Sequence, residues 1–484
     1  MPRPLRVAIV GAGPAGIYAA DALLKSEAAV EPGVSIDLFE RMPAPFGLIR
    51  YGVAPDHPRI KGIITALHQV LDKPQVRLFG NVDYPNDISL DELQSFYDAV
   101  IFSTGATADR ALTIPGVELD GSYGAADFVS WYDGHPDVPR TWPLEAEKVA
   151  VLGVGNVALD VARILAKTAD ELLPTEIPAN VYDGLKANKA LEVHVFGRRG
   201  PAQAKFSPME LRELDHSPNI EVIVNPEDID YDEGSIATRR ANKQADMVAK
   251  TLENWAIRDI GERPHKLFLH FFESPAEILG EDGKVVGLRT ERTELDGTGN
   301  VKGTGNFTDW DVQSVYRAVG YLSDELPKLP WDVESGTVPD EGGRVIEAGA
   351  HLQSTYVTGW IRRGPVGLIG HTKGDANETV ANLLADHAEG RLSAPAAPAP
   401  EAVEAFLAER SVRYTTWEGW HRLDAAEKAL GEPQGRERVK IVEREDMLDA
   451  SGDRQRRPHP ARHDRVPPRA ALLLLPAAHG YGDH

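Results

Sequence analysis

The sequence predicts an α/β protein that contains two doubly wound, parallel-sheet units. Three observations carry this reading. The apolar run Leu5 to Val10 ends in Gly11-Ala12-Gly13-Pro14-Ala15-Gly16 and feeds a helical stretch. The run Lys148 to Leu152 ends in Gly153-Val154-Gly155-Asn156-Val157-Ala158 and does the same. Each helix is followed by a further apolar strand, so the strand, glycine turn, helix and strand order occurs twice.

The remaining elements come in order. Val34 to Phe39 is the second strand of the first unit, after a small loop at Glu31-Pro32-Gly33. Pro43 to Pro58 reads as an irregular loop rich in Pro and Gly. Ile60 to Leu71 has helical spacing, and Ala99 to Phe102 is a short strand ending in Ser103-Thr104-Gly105-Ala106. An insertion from about Thr168 to Ala190, broken by Pro174 and Pro178, precedes the strand Leu191 to Phe196. Ala237 to Ile257 reads as one helix with a basic start. Lys266 to Glu273 and Lys284 to Arg292 read as strands of an antiparallel layer. Val315 to Tyr321 and Tyr356 to Trp360 read as strands, and a helix is expected at about Asp375 to His387. Ser393 to Pro400 is a linker by composition, followed by helical residues from Glu401 to Gly431.

Composition narrows the function classes. With 484 residues there is chain enough for two or three domains. A net charge of -22 argues against bulk nucleic-acid binding, which needs a basic surface. No run approaches the length of a membrane span. The N-terminus enters a strand at once and leaves no room for a signal or transit peptide, so cytoplasm is the expectation. The sequence holds no cysteine. A redox dithiol, a thiolate-held iron–sulfur cluster and a disulfide framework are therefore excluded, and no metal site is expected.

The two glycine turns lead to strand ends of different charge. In the first, Gly11 makes the tight turn, Gly13 lets a pyrophosphate approach the backbone, and Gly16 lets helix and strand pack closely. Pro14 and Ala15 open the helix, whose N-terminus offers free N–H groups to phosphate. Glu40 closes the next strand, accepts from ribose hydroxyls and repels a 2′-phosphate, so FAD or NAD is expected there. In the second, Gly153, Gly155 and Ala158 repeat the turn, with Asn156 and Val157 opening the helix. Its next strand ends not in an acid but in Arg198 and Arg199, two guanidiniums suited to a 2′-phosphate. NADP(H) is expected there. Ser103-Thr104-Gly105-Ala106 and Arg317-Ala318-Val319-Gly320-Tyr321 are similar to each other and bracket the second unit.

These pieces resemble the adrenodoxin reductase-like family of ferredoxin–NADP reductases, especially its bacterial members. The resemblance is carried by GAGPAGIYAADALL at Gly11 to Leu24, PFGLIRYGVAPDHP at Pro45 to Pro58 and GVGNVALDVARIL at Gly153 to Leu165. It is also carried by FGRRGPAQAKFSPMELREL at Phe196 to Leu214 and GWIRRGPVGLIG at Gly359 to Gly370. It spans about residues 6–451. The resemblance implies two Rossmann-like dinucleotide-binding domains, with the NADP domain (108–322) inserted into an FAD domain made of 1–107 and 323–451. It implies hydride transfer from NADPH to FAD, then single electrons to a small iron–sulfur protein of ferredoxin type. It places Leu48, Val82, Gly105, Trp360 and the turn Gly367-Leu368-Ile369 near FAD. It places Gly155-Asn156 and Arg198-Arg199 on NADP, with Glu210 at the nicotinamide end.

His57, in Pro55-Asp56-His57-Pro58, is then a candidate catalytic residue near the flavin, together with Glu210. Asp160 is read as a hinge or interface residue. A partner as acidic as this chain needs a local positive field for docking, and Arg239, Arg240 and Lys243 are the candidates. The architecture usually works as a monomer. Two other functions fit the same motifs: an NADPH-dependent diaphorase or quinone reductase, and a non-catalytic module that binds FAD and NADP. The segment from about Gly452 is rich in Arg, His and Pro with no periodicity. It reads as a disordered tail, and an out-of-frame stretch of coding sequence is the further expectation for it.

Overall fold

The computed structural model describes residues 3–367 and 370–452. The expectations for the tail beyond Gly452, and for Leu368 and Ile369, lie outside the described residues.

Two parallel sheets form because each glycine turn returns the chain, through a helix, to the same side of its strand. The first sheet has seven strands. Leu5–Val10 is the middle one of its five parallel strands, between Ala99–Phe102 and Val34–Glu40. Val76–Gly80 extends one side, and Ala350–Val357 joins Ala99–Phe102 on the other, all parallel. Arg344–Glu347 and Asp340–Glu341 close that edge in antiparallel fashion. The central strand is buried along its whole length, as a strand covered on both faces requires.

The second sheet has six parallel strands, in the order Ser122–Gly124, Ser314–Arg317, Lys148–Leu152, Glu192–Phe196, His265–His270 and Ile220–Val224. A three-stranded antiparallel sheet, Glu273–Glu281, Lys284–Leu295 and Val301–Trp310, packs on it through Ile278, Val285 and Leu288. The chain passes from the first sheet to the second at Ala108–Asp109 and returns at Tyr321–Leu322, and these two short strands pair with each other. Among the described residues no helix is long and apolar enough to cross a membrane.

Several elements differ from the sequence reading. Ala237 to Ile257 is not one helix: Glu233–Ala241 stops at Asn242, and Lys243–Ala256 begins there. Asn242 has extended backbone, and its side chain accepts from the N–H groups of Gln244 and Ala245, a cap that starts the second helix. Lys266 to Glu273 is not wholly antiparallel. His265–His270 is a parallel strand of the six-stranded sheet, and the chain turns at Phe272, with φ 58°, before the antiparallel layer begins. The Pro/Gly-rich stretch contains helical turns at Leu48–Tyr51 and Pro58–Lys61. The strand expected to reach Tyr321 ends at Arg317, because Gly320 turns the chain with φ 119°. Tyr356 to Trp360 is strand only to Val357, and the helix expected near Asp375 starts at His371.

The last described helices, Pro400–Glu409, Trp417–Gly431 and Arg444–Ser451, pack on the first sheet. Trp417, Trp420, Leu423 and Met447 share a core with Leu5, Phe46 and Leu67. Glu427 closes a buried ion pair with Arg50, far away in sequence.

The glycines separate into two kinds. A Cβ on Gly16 would lie 2.1 Å from the Gly11 carbonyl oxygen, whereas a Cβ on Gly155 would meet nothing within 4 Å. Gly16→Ala is therefore expected to lower the thermal midpoint by at least about 5 °C, and Gly155→Ala to move it by less than about 1 °C. Thermal unfolding followed by circular dichroism checks both.

Candidate functional site

At the first turn, Gly11 has φ 110°, and a Cβ there would meet the Ser103 carbonyl oxygen at 2.5 Å. Its N–H donates to Phe39 O, which ties the turn to the neighbouring strand. Gly13 precedes the helix and Pro14 stands at its first position, where a missing N–H costs nothing. A Cβ on Gly13 would reach only the Gly47 Cα, at 3.8 Å, so the turn is open to a ligand. Ala15 lies against Gly359, the residue before Trp360. Glu40 accepts from the N–H of Ala12 at 2.9 Å and from that of Met42 at 3.0 Å. Burial pushes its pKa up, and these two N–H groups oppose the rise.

The other residues expected here fall into two groups. Leu48 opens the helical turn that begins after Gly47, and Gly105, with φ 77°, faces open space. Trp360 lies at the start of a short helix. Its Nε1 is buried without a hydrogen-bond partner, as is the Thr358 hydroxyl two residues earlier. Gly367, with φ 87°, stands beside the His371 ring. Val82 is different: it is buried in a core with Phe39, Phe79 and Phe102, and its N–H donates to the Glu40 carbonyl. Its contribution to the turn runs through that backbone contact.

The second turn repeats the first. Gly153 has φ 133°, and a Cβ there would lie 2.2 Å from Ala318 O. The Gly153 N–H donates to Phe196 O. Asn156 opens the helix and its Oδ1 accepts from the Ser207 N–H at 2.8 Å. Ser207 in turn caps the helix Pro208–Glu213 by accepting from Glu210 N–H. This chain of contacts places Glu210 near the second turn. Val157 is half-buried, Arg199 is half-buried and Arg198 is exposed.

His57 and Glu210 meet in one buried cluster. His57 Nε2 lies 2.8 Å from Glu210 Oε2 and 2.9 Å from Asp160 Oδ1. Arg163 is fully buried and stands at the centre. It makes two hydrogen bonds of 2.8 Å with Asp56, one of 2.7 Å with Asp160, and lies 2.8 Å from His57 Nε2. Lys167 adds a bond of 2.8 Å to Asp56. Burial alone would lower the His57 pKa, but the bonds to Asp160 and Glu210 outweigh it and hold it at about 9. Asp56 sits well below the usual carboxylate range: burial opposes this, and the charges of Arg163 and Lys167 prevail. His57, Asp160 and Glu210 also have metal-ligand spacing. The Arg163 guanidinium already serves that donor set with a positive charge.

Sequence reasoning does not find Arg163 or Asp56 as site residues. One signal for the first is present: Asp160 and Arg163 are three apart on an expected helix and share a face. Of the three cations expected on the surface, Arg239 is corrected. It ends the helix Glu233–Ala241 instead of starting one, and it is spent on Asp246 at 3.0 Å and Glu253 at 2.5 Å. Arg240 and Lys243 are exposed.

The chain is similar to known proteins along most of its length. The model of the pyridine nucleotide-disulphide oxidoreductase family matches residues 5–227. The chain is 40% identical over 458 residues to NADPH-ferredoxin reductase FprA of Mycobacterium tuberculosis, covering 92% of this chain and 99% of that one. It is 35% identical over 466 residues to human mitochondrial NADPH:adrenodoxin oxidoreductase, covering 92% of each. The solved structure of M. tuberculosis FprA in complex with NADPH superposes with a TM-score of 0.84 at 38% identity, covering 93% of this chain and all of that one.

The His57 pKa is raised on folding, so the stability it contributes is complete below the unfolded-state value of about 6.5 and is lost as pH rises through about 9. The stability of the native chain relative to His57→Gln is expected to fall by about 1–3 kcal/mol between pH 6.5 and pH 10. Urea unfolding of both proteins across that range measures it.

Proposed function

The chain belongs to the adrenodoxin reductase-like family of FAD-dependent NADPH–ferredoxin reductases, and from that premise we propose how its residues carry electrons from NADPH through FAD to a small iron–sulfur protein. One observation supports the assignment of the two sites most strongly: equivalent glycine turns lie beside strand ends of opposite charge, Glu40 in one and Arg198-Arg199 in the other.

The first site fits FAD. Gly13 and Gly105 leave the room that a pyrophosphate needs. Trp360 Nε1 and the Thr358 hydroxyl are buried donors without protein partners, a condition that a ligand acceptor relieves. Gly11, Pro14, Ala15 and Gly16 shape the turn, Glu40 faces the ribose, Leu48 and Gly367 complete the pocket, and Val82 supports Glu40 from the core through its backbone N–H. When bound, FAD supplies the conversion between a two-electron hydride donor and a one-electron acceptor.

The second site takes NADPH. Gly153, Gly155, Asn156 and Val157 present helix N–H groups to the pyrophosphate, and Arg198 and Arg199 pair with the 2′-phosphate. Glu210 meets the nicotinamide end. His57 keeps a proton on Nε2 against Asp160 and Glu210 at neutral pH, beside the Arg163 guanidinium. The division into 1–107 with 323–451 around 108–322 belongs to the same proposal, supported by the paired crossings at Ala108–Asp109 and Tyr321–Leu322. So does a cytoplasmic monomer that docks a diffusing ferredoxin through Arg240 and Lys243.

Two pairs of substitutions test this reading. Arg198→Ala combined with Arg199→Ala raises KM for NADPH about 10- to 100-fold and leaves kcat and the KM for NADH within about threefold. Steady-state ferricyanide reduction with each nucleotide measures this. Arg240→Glu combined with Lys243→Glu raises KM for ferredoxin at least about fivefold while NADPH-dependent ferricyanide reduction is unchanged. Equal losses in both assays would show that these residues serve the fold and not docking.

A further inference from the structure

Arg198 is exposed and Arg199 half-buried, and the loop that carries them, Gly197 to Gly200, follows the strand Glu192–Phe196. Bidentate pairing with a phosphate is exacting in direction, so the backbone under the two guanidiniums must be held. Four consecutive carbonyls of this loop are bonded. Gly197 O accepts from Glu273 N–H at 3.0 Å, Arg199 O from Phe272 N–H at 3.3 Å and Gly200 O from Gln203 N–H at 3.1 Å. The fourth is different in kind: Arg198 O accepts from a side chain, the Thr293 hydroxyl, at 2.7 Å.

Thr293 comes from the antiparallel layer, on the strand Lys284–Leu295, and is buried. The register of that strand against Val301–Trp310 shifts between Glu291 and Thr293. Such a bulge re-aims the side chains beside it. The Thr293 N–H donates to Phe272 O at 2.9 Å, so the hydroxyl stands on a fixed backbone. Phe272 itself has φ 58°, a conformation that bulky residues rarely adopt, and a Cβ on Gly200 would lie 2.5 Å from its ring. Thr293 and Phe272 thus grip the loop at neighbouring carbonyls. Of the two contacts, only that of Thr293 can be removed by changing a side chain and leaving every backbone N–H in place.

We propose that Thr293 is a positioning residue for 2′-phosphate recognition, acting through the Arg198 carbonyl to set the direction from which the guanidiniums of Arg198 and Arg199 reach a nucleotide. This role rests on the reading that the two arginines pair with the 2′-phosphate. It gives the antiparallel layer a part in choosing NADPH over NADH, with no ligand contact of its own. Loss of the hydroxyl leaves the Arg198 carbonyl to solvent and loosens the loop, to which only a nucleotide with the extra phosphate is sensitive.

The test is calorimetric titration of 2′,5′-ADP, which carries that phosphate and lacks the nicotinamide, into the flavin-loaded full-length protein, with KM measured for NADPH and NADH. Thr293→Val keeps the shape and removes the hydroxyl. It is expected to weaken 2′,5′-ADP about three- to tenfold and to raise KM for NADPH alike, with KM for NADH within about twofold. Thr293→Ala, which removes the hydroxyl without adding an apolar branch, is expected to match it. Thr293→Ser keeps the hydroxyl and is expected to bind like the native chain. Added to Arg198→Ala with Arg199→Ala, Thr293→Val is expected to change KM for NADPH by less than about twofold, because the groups it positions are gone. The proposal is overturned if Thr293→Val and Thr293→Ala bind 2′,5′-ADP as the native chain does, or if KM for NADH rises as much as that for NADPH. It is also overturned if Thr293→Ser loses as much as Thr293→Val, or if Thr293→Val acts undiminished in the double arginine variant. A double arginine variant that binds 2′,5′-ADP like the native chain would sink the 2′-phosphate reading itself. If that variant loses the ligand while Thr293→Val keeps it, the reading stands and only the role of Thr293 falls.

Discussion

A buried guanidinium cannot stay unpaired, and Arg163 is the point around which the two halves of this molecule are arranged. An isolated charge at that depth would cost far more than the fold's net stability. Its partners come from three separate segments: Asp56 from the loop beside the first glycine turn, Asp160 from its own helix, and Glu210 from the helix that Ser207 caps. The helix carrying Arg163 starts at the second glycine turn. Satisfying one cation therefore draws the surroundings of both turns to a common place. The strength of such a cluster lies in its specificity more than in its net energy, because breaking it strands a charge.

A second charge network reinforces the first from the C-terminal side. Lys440 is buried and donates to the carbonyls of Arg50 and Asp133, while its partner Glu176 also holds Lys61. Burial pushes the Asp133 pKa up to about 7, with Lys61 and Lys440 opposing. Through these contacts and the Arg50–Glu427 pair, residues near 420–440 hold the segment that contains His57. The helices after the linker are thus part of what positions the site.

Much of the nucleotide machinery is legible in the sequence because its physics is local. A positive φ, a close approach and a helix N-terminus all fall within six residues, and Gly11 and Gly153 do in the structure what their turns require. His57 and Glu210 are identifiable as candidates, but their meeting is not, since it depends on Asn156 holding Ser207. Arg163 and Asp56 escape a sequence reading for the same reason: their bond spans more than a hundred residues. The strand His265–His270 is misjudged because pairing direction is set by its neighbours, not by its own pattern. Arg239 looks like surface charge because its partners, Asp246 and Glu253, lie beyond a helix break that only the Asn242 cap explains.

The central claim is that two differently charged nucleotide sites serve one electron path. Anaerobic titration of the purified protein, followed by its visible spectrum, tests it most directly. A bound-flavin spectrum that bleaches at far lower NADPH than NADH is the predicted result. A flavin spectrum that neither nucleotide bleaches would contradict the account, since the second site would then be disconnected from the first.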